Sequence, residues 1–283
     1  MHSHHDDQVH EHDRGLSHDL PVLARRRMIR LMAGAGLIPL VGCSSEEESS
    51  ASSSTSSSSS SSSSAASSGD ASAECATIPD ETAGPYPGDG SNGVNVLKES
   101  GVVRSDITTS FGDSAGGTAE GVPLTVTLTV VDAASGCGTP KKGAAVYLWH
   151  ADRDGKYSLY SDGITDENYL RGVQETDDNG QVTFKSVFPG CYDGRWPHIH
   201  FEVYGSLADA TAATSLTNTS QLAFPKETCE AVYATDGYSQ SVTNLGRISL
   251  ETDNIFSDGY DQQLATMTGS AEEGYTATLT VPV

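Results

Sequence analysis

The chain has 283 residues, 36% hydrophobic and 19% charged, with 38 acidic against 16 basic side chains and a formal net charge of −22. So acidic a surface argues against nucleic acid and anionic lipid head groups as partners. The length allows one sizeable domain plus segments that need not fold.

Residues 1–43 read as an export signal. Arg25, Arg26, Arg27 and Arg30 precede an apolar run from Leu31 to Val41, too short to span a bilayer. The paired arginines resemble a twin-arginine signal, and "LVGC" resembles a bacterial lipobox. On that reading the chain is cut before Cys43, which takes a lipid and anchors an exported protein to a membrane of the cell envelope. An ordinary secretory signal with a chance cysteine is the alternative. Acids and arginines balance in this segment, so the whole net charge falls on residues 44–283.

Residues 44–74 are nearly all serine, glutamate and alanine. They have too little apolar surface to offset ordering entropy, so they read as a flexible tether. About thirty such residues reach roughly 30 Å. The folded domain is then 75–283.

Strand patterns dominate that domain. "PLTVTLTVV" alternates Leu124, Val126, Leu128 and Val130 with threonines, and "YTATLTV" does the same with Tyr275, Ala277, Leu279 and Val281. "AAVYLWH" (144–150) and "QVTFKSV" (181–187) are further strands, with "TDDNGQ" and "FPGCYDG" supplying turn chemistry. Short helices are expected near 229–234 and 258–265. The expected fold is all-β, an antiparallel sandwich with long functional loops.

Besides Cys43 the chain has Cys75, Cys137, Cys191 and Cys229. Outside the cytoplasm an even number suggests two disulfides, and four cysteines allow three pairings. Cys75–Cys137 with Cys191–Cys229 is preferred; buried thiols are the alternative. No pair has CxxC spacing, which disfavours a zinc knuckle.

Of nine histidines, six lie in the first eighteen residues, leaving His150, His198 and His200 for the domain. In "GRWPHIHFEVYG", residues i and i+2 of a strand share a face, so His198 and His200 point one way while Ile199, Phe201 and Val203 point to the core. Two imidazoles so placed can bind one metal, but an isolated H-x-H is more often two polar residues on a wet sheet face. Tyr192 precedes them in a "PGCY" turn, and Tyr157 lies in "WHADRDGKY".

Taken together, "DETAGPYP", "WHADRDGKY" and "LRGVQETDDNGQVTFKSVFPGCYDGRWPHIHF" resemble the intradiol ring-cleavage dioxygenases. These include the catechol 1,2- and protocatechuate 3,4-dioxygenases, and the likeness is greatest to secreted single-domain members. It covers nearly all of residues 75–233. The G-x-Y, P-G-x-Y and R-x-x-H-I-H elements, in this order, carry it. The resemblance implies a β-sandwich and one Fe(III) per chain, held by Tyr157, Tyr192, His198 and His200. Phenolates are hard ligands that suit a trivalent ion, whose charge would keep a tyrosine ionised although its ordinary pKa is near 10. The resemblance further implies a catechol-type substrate and O2, cleavage between the two hydroxyl-bearing carbons, and a muconate-type diacid product. Tyr192 would leave the metal and act as a base while Tyr157 stays bound. Arg195 would stabilise charge on the substrate ring, Gln221 would lie near the site, and Tyr86 would line the substrate pocket. His150 reads as structural.

Two departures stand out. Catechol 1,2-dioxygenases carry a helical dimerisation segment where this chain has the serine tether, so oligomeric state is open. Cys191 adjoins Tyr192, where a disulfide would fix the ligand loop. A non-catalytic β-sandwich binding lipoprotein and a metal-capture protein are the competing readings; the first needs no set of Tyr157, Tyr192, Arg195, His198 and His200, and the second would bind metal without consuming oxygen with catechols.

Overall fold

The computed structural model describes residues 75–283; the proposed export signal, Cys43 and the serine tether lie outside the described residues. Eight strands form two four-stranded sheets. They are β1 (Pro123–Val131), β2 (Ala145–Trp149), β3 (Arg171–Glu175), β4 (Gln181–Val187), β5 (His198–Tyr204), β6 (Leu216–Ala223), β7 (Thr266–Ser270) and β8 (Gly274–Pro282). The first sheet runs β4-β1-β8-β7 and the second β3-β2-β5-β6. The expected sandwich is present, and the four strands read from the sequence fall where the alternation placed them.

One pairing departs from the antiparallel expectation. β1 and β8 run parallel, with Leu124 beside Tyr275, Val126 beside Ala277, Leu128 beside Leu279 and Val130 beside Val281. This register puts both apolar faces on the same side, which a slip of one residue would undo. The threonines between them face outward, and Thr127 and Thr183 hydrogen-bond across the neighbouring β1–β4 pair at 3.1 Å.

The main core lies between the sheets. It joins Leu124, Val126, Leu128, Val130, Phe184 and Val281 to Val146, Leu148, Ile199, Phe201 and Val203 of the second sheet. The outer face of the second sheet is also dry. There Ala145, Tyr147 and Trp149 of β2, with Val173 and Tyr204, pack under Tyr86, Val96, Leu97, Val102 and Tyr157 from the long connections. Every residue of β2 and β5 is consequently buried. His198 and His200 share this outer face, opposite the core residues, and it is not a wet surface.

Three short helices complete the domain: α1 (Leu207–Ala212), α2 (Lys226–Tyr233) and α3 (Ser239–Leu245). The helix expected at 229–234 is α2, beginning three residues earlier. The helix expected at 258–265 is absent. A single 3-10 turn, Phe256–Asp258, ends at Gly259 with φ +128°, and the chain continues in turns. Neither α1 nor α3 is long with caps at both ends; α1 starts at Ser206, whose Oγ accepts from the Asp209 N–H (3.2 Å), and α3 ("SQSVTNL") is poor in strong helix formers.

Cys75 and Cys137 form a disulfide, as preferred. The second expected disulfide is not formed: Cys191 and Cys229 are free and buried. The Cys191 thiol donates to the Arg195 carbonyl (3.4 Å), and burial pushes it up to about 12. The loop that a disulfide was expected to fix is held by α3 instead, through Ser241 Oγ accepting from the Cys191 N–H and Asn244 Nδ2 donating to the Cys191 carbonyl.

His150 follows β2 and is structural, as expected. One ring nitrogen lies 2.6 Å from Ser186 Oγ of β4 and the other 2.7 Å from the Ala151 carbonyl, and burial lowers its pKa to about 4. The unfolded chain therefore binds this proton more readily than the fold does, and its contribution is lost as pH falls from about 6.5 to 4. We expect His150→Gln to remove about 3 kcal/mol of that acid sensitivity, read as a flatter dependence of urea-unfolding free energy on pH. An unchanged pH dependence would contradict the assignment.

Candidate metal centre

The register of the second sheet builds a straight row on its dry face. Arg171 pairs with Trp149, Trp149 with His200, and His200 with Gln221, so four strands each contribute one side chain to the row. Trp149 lies flat against His200, with ring centroids 4.9 Å apart and planes 6° apart. His198 sits two residues along β5, and its Nε2 is 3.0 Å from His200 Nε2. Both rings are buried. Desolvation lowers each pKa well below the ordinary histidine value, helped at His200 by His198 and at both by Arg195. Neutral imidazoles are the ligand-competent form. His198 Nδ1 donates to the Trp196 carbonyl (2.5 Å), which fixes the tautomer and leaves the Nε2 lone pair facing inward. His200 Nδ1 is buried without a hydrogen-bond partner.

Two tyrosines from separate loops complete the cluster. Tyr192 Oη lies 3.2 Å and Tyr157 Oη 3.5 Å from His198 Nε2. Tyr157 is 1% exposed, while Tyr192 is partly exposed. The loops that carry them lock together backbone to backbone, which explains their glycines. The Gly190 N–H donates to the Asp152 carbonyl (2.8 Å), and a Cβ on Gly190 would stand 2.4 Å from the Arg153 carbonyl oxygen. Gly155 has φ +78°, and a Cβ there would press on Tyr192 Cβ at 3.0 Å. Gly155 and Gly190 are the glycines of the two tyrosine motifs.

The "DETAGPYP" segment covers the cluster. A Cβ on Gly84 would lie 3.4 Å from His200 Cε1, so this backbone runs directly over the ring. The Tyr86 ring is 5.0 Å from Tyr157 and 5.2 Å from Tyr160. Arg171, 1% exposed, holds this cover down. It donates to the carbonyls of Tyr86, Pro87 and Ser158, and to the hydroxyls of Tyr147 and Ser158. The same guanidinium thus fixes the Tyr86 segment and the residue after Tyr157.

Arg195 is 2% exposed. Its Nε donates to Asp253 (3.0 Å) and its Nη2 to Gln221 Oε1 (2.7 Å); Gln221 Nε2 in turn donates to the Thr82 carbonyl (3.0 Å). All seven domain residues singled out from the sequence therefore meet at one place: Tyr86, Tyr157, Tyr192, Arg195, His198, His200 and Gln221. The sequence reading missed Trp149, Arg171 and Asp253. Arg171, a cation inside the otherwise buried "YLRGV" stretch, carried a signal. Asp253, in an irregular loop, carried none.

Two phenols and two neutral imidazoles, converging from a dry wall, form a donor set suited to a hard metal ion. Ligands bound at right angles, roughly 2.1 Å from one ion, stand about 3 Å apart, which is the spacing of the closest donor atoms here. Among the described residues no group of three His, Cys, Asp or Glu side chains could hold a metal, so any ion at this place would depend on the tyrosines.

Comparison with known proteins agrees with this geometry. The family model described as Dioxygenase (Dioxygenase_C) matches residues 101–235. An intradiol ring-cleavage dioxygenase from Tetranychus urticae shares the fold at TM-score 0.52 and 28% identity, over 64% of this chain and 86% of that one. A second solved dioxygenase aligns at TM-score 0.58 and 27% identity, over 74% of this chain and 94% of that one. Over this region the chain is similar to the intradiol ring-cleavage dioxygenases. Chlorocatechol 1,2-dioxygenase of Rhodococcus opacus is 38% identical over 56 residues, 20% of this chain; that match spans about a fifth (22%) of the curated relative's length.

The interlocked loops give a direct test. Gly190→Ala must push the Arg153 and Tyr192 loops apart. We expect a stability loss of about 1–3 kcal/mol in thermal unfolding. Wild-type stability in this variant would contradict the packing described.

Proposed function

We propose that this chain is an Fe(III) intradiol dioxygenase. It would add both atoms of O2 to a catechol-type ring, cleaving it between the two hydroxyl-bearing carbons to give a muconate-type diacid. The convergence of Tyr157, Tyr192, His198 and His200 on a dry sheet face carries this reading. These four residues would hold one ferric ion. Bound there, the ion would supply the positive charge that keeps phenols and catechol ionised and draws electron density from the ring.

The remaining work falls to the chain's own groups. Tyr157 is enclosed and stays in place. Tyr192, partly exposed, would as the phenolate that such an ion maintains be positioned to accept a catechol proton at its Oη, becoming the neutral phenol. Arg195 presents a fixed guanidinium beside the imidazole pair, suited to negative charge developing on the ring oxygens or carbons. Gln221 and Thr82 hold that guanidinium against the cover. Gly84 and Tyr86 limit the space above His200 and exclude water, which strengthens every charge interaction beneath.

The proposal includes export and a lipid on Cys43, supported by the sequence of residues 1–43 and checked by lipid labelling that Cys43→Ala abolishes. No helix among the described residues is long and apolar enough to cross a membrane. A binding module on a stalk would have no use for a buried cluster of phenols, imidazoles and a guanidinium.

Incubating iron-loaded protein with catechol in an oxygen electrode tests the reaction. One O2 consumed per muconate-type product is expected. Tyr157→Phe and His200→Ala should each lower turnover at least 100-fold with the fold intact by circular dichroism. No oxygen uptake by iron-replete protein, across catechol, hydroxyquinol and protocatechuate, would overturn the reading.

A further inference from the structure

We infer that Asp253 is a positioning residue for ring cleavage, acting through Arg195. The inference rests on the dioxygenase reading above and adds to it a residue outside the matched family region, which ends at 235.

Asp253 is 0% exposed and sits in an irregular loop from the far end of the chain. Its two oxygens serve four donors. Oδ2 accepts from Arg195 Nε (3.0 Å) and the Trp196 N–H (2.6 Å); Oδ1 accepts from the N–H groups of Ile255 (2.8 Å) and Phe256 (3.2 Å). A carboxylate this enclosed is tolerated only with such complete partnering. It is therefore built for the place it occupies.

The arrangement fixes the plane of the Arg195 guanidinium at two edges. Asp253 holds Nε and Gln221 holds Nη2, and of these two partners only Asp253 is an anion. The Phe256 ring, brought in by the same loop, lies under both groups, 6.0 Å from the guanidinium carbon and 6.5 Å from the His198 ring. Asp253 itself touches neither imidazole nor phenol of the cluster by any contact the fold displays. Its effect on the reaction runs through the direction in which Arg195 points. A cation that stabilises developing charge works best when it is oriented beforehand, so the loss of Asp253 should slow turnover while leaving substrate affinity in place.

The test is a double-mutant cycle on iron-loaded protein with Asp253→Asn, Arg195→Ala and the pair. Asp253→Asn keeps the shape and removes the charge. Expected are a fall in kcat of about 10-fold or more, a KM and an anaerobic catechol affinity within about twofold of wild type, and unchanged iron content. In the Arg195→Ala background the same substitution should change kcat less than twofold. A kcat loss that multiplies with that of Arg195→Ala, a loss of bound iron, or a wild-type kcat in Asp253→Asn would each overturn the assignment. Should Asp253→Asn not fold, Asp253→Glu keeps the charge and displaces the guanidinium, and is read in the same cycle with the same expectation of non-additivity. Wild-type turnover of catechol, measured alongside, tests the dioxygenase reading separately: with no wild-type turnover that reading fails, and the assignment, which rests on it, falls with it.

Discussion

Two imidazole nitrogens 3.0 Å apart are held out of water on the outer face of a β-sheet, and keeping that face dry constrains much of the architecture around it. An outer face of a sandwich is ordinarily solvated on one side. Here the long connections of residues 75–120 and 151–170 close over it, and they are anchored by polar groups with no other evident use. Arg171 donates to the cover, to the Tyr157 loop and to the Tyr147 hydroxyl of β2 beneath them. Trp149 supplies a flat wall for His200. Removing water makes both histidines neutral and raises the worth of every charge placed nearby.

The second constraint is the meeting of two loops that come from different strands. Tyr157 follows β2 and Tyr192 follows β4, yet their phenol oxygens approach the same imidazole nitrogen. Backbone contact without side chains makes this possible, which is why glycine stands at 155 and 190. The two tyrosines are not equivalent. One is buried and the other partly exposed, and the proposed division between a fixed ligand and one that takes up a proton rests on this asymmetry.

Much of this was legible in the sequence because it is local. Period-two alternation gave the strands, and the side-chain period of two put His198 and His200 on one face. The motifs of the tyrosine loops were short and contiguous. What could not be read depends on contacts between distant segments. The parallel pairing of β1 and β8 joins residues about 150 positions apart. Asp253 is separated from Arg195 by 58 positions, in a loop with no periodicity. The Cys191–Cys229 disulfide failed as an expectation because even-numbered cysteines say nothing of what surrounds each thiol. Cys191 found a carbonyl, and Cys229 joined the core.

The central claim is that two phenolates and two imidazoles of this cluster hold one ferric ion that a catechol can reach. The most direct measurement is the visible absorption spectrum of the purified, iron-replete protein before and after catechol is added under nitrogen. A broad visible band that weakens in Tyr157→Phe and shifts to longer wavelength with catechol is the predicted result. A flat visible spectrum in protein that contains one iron per chain would contradict it.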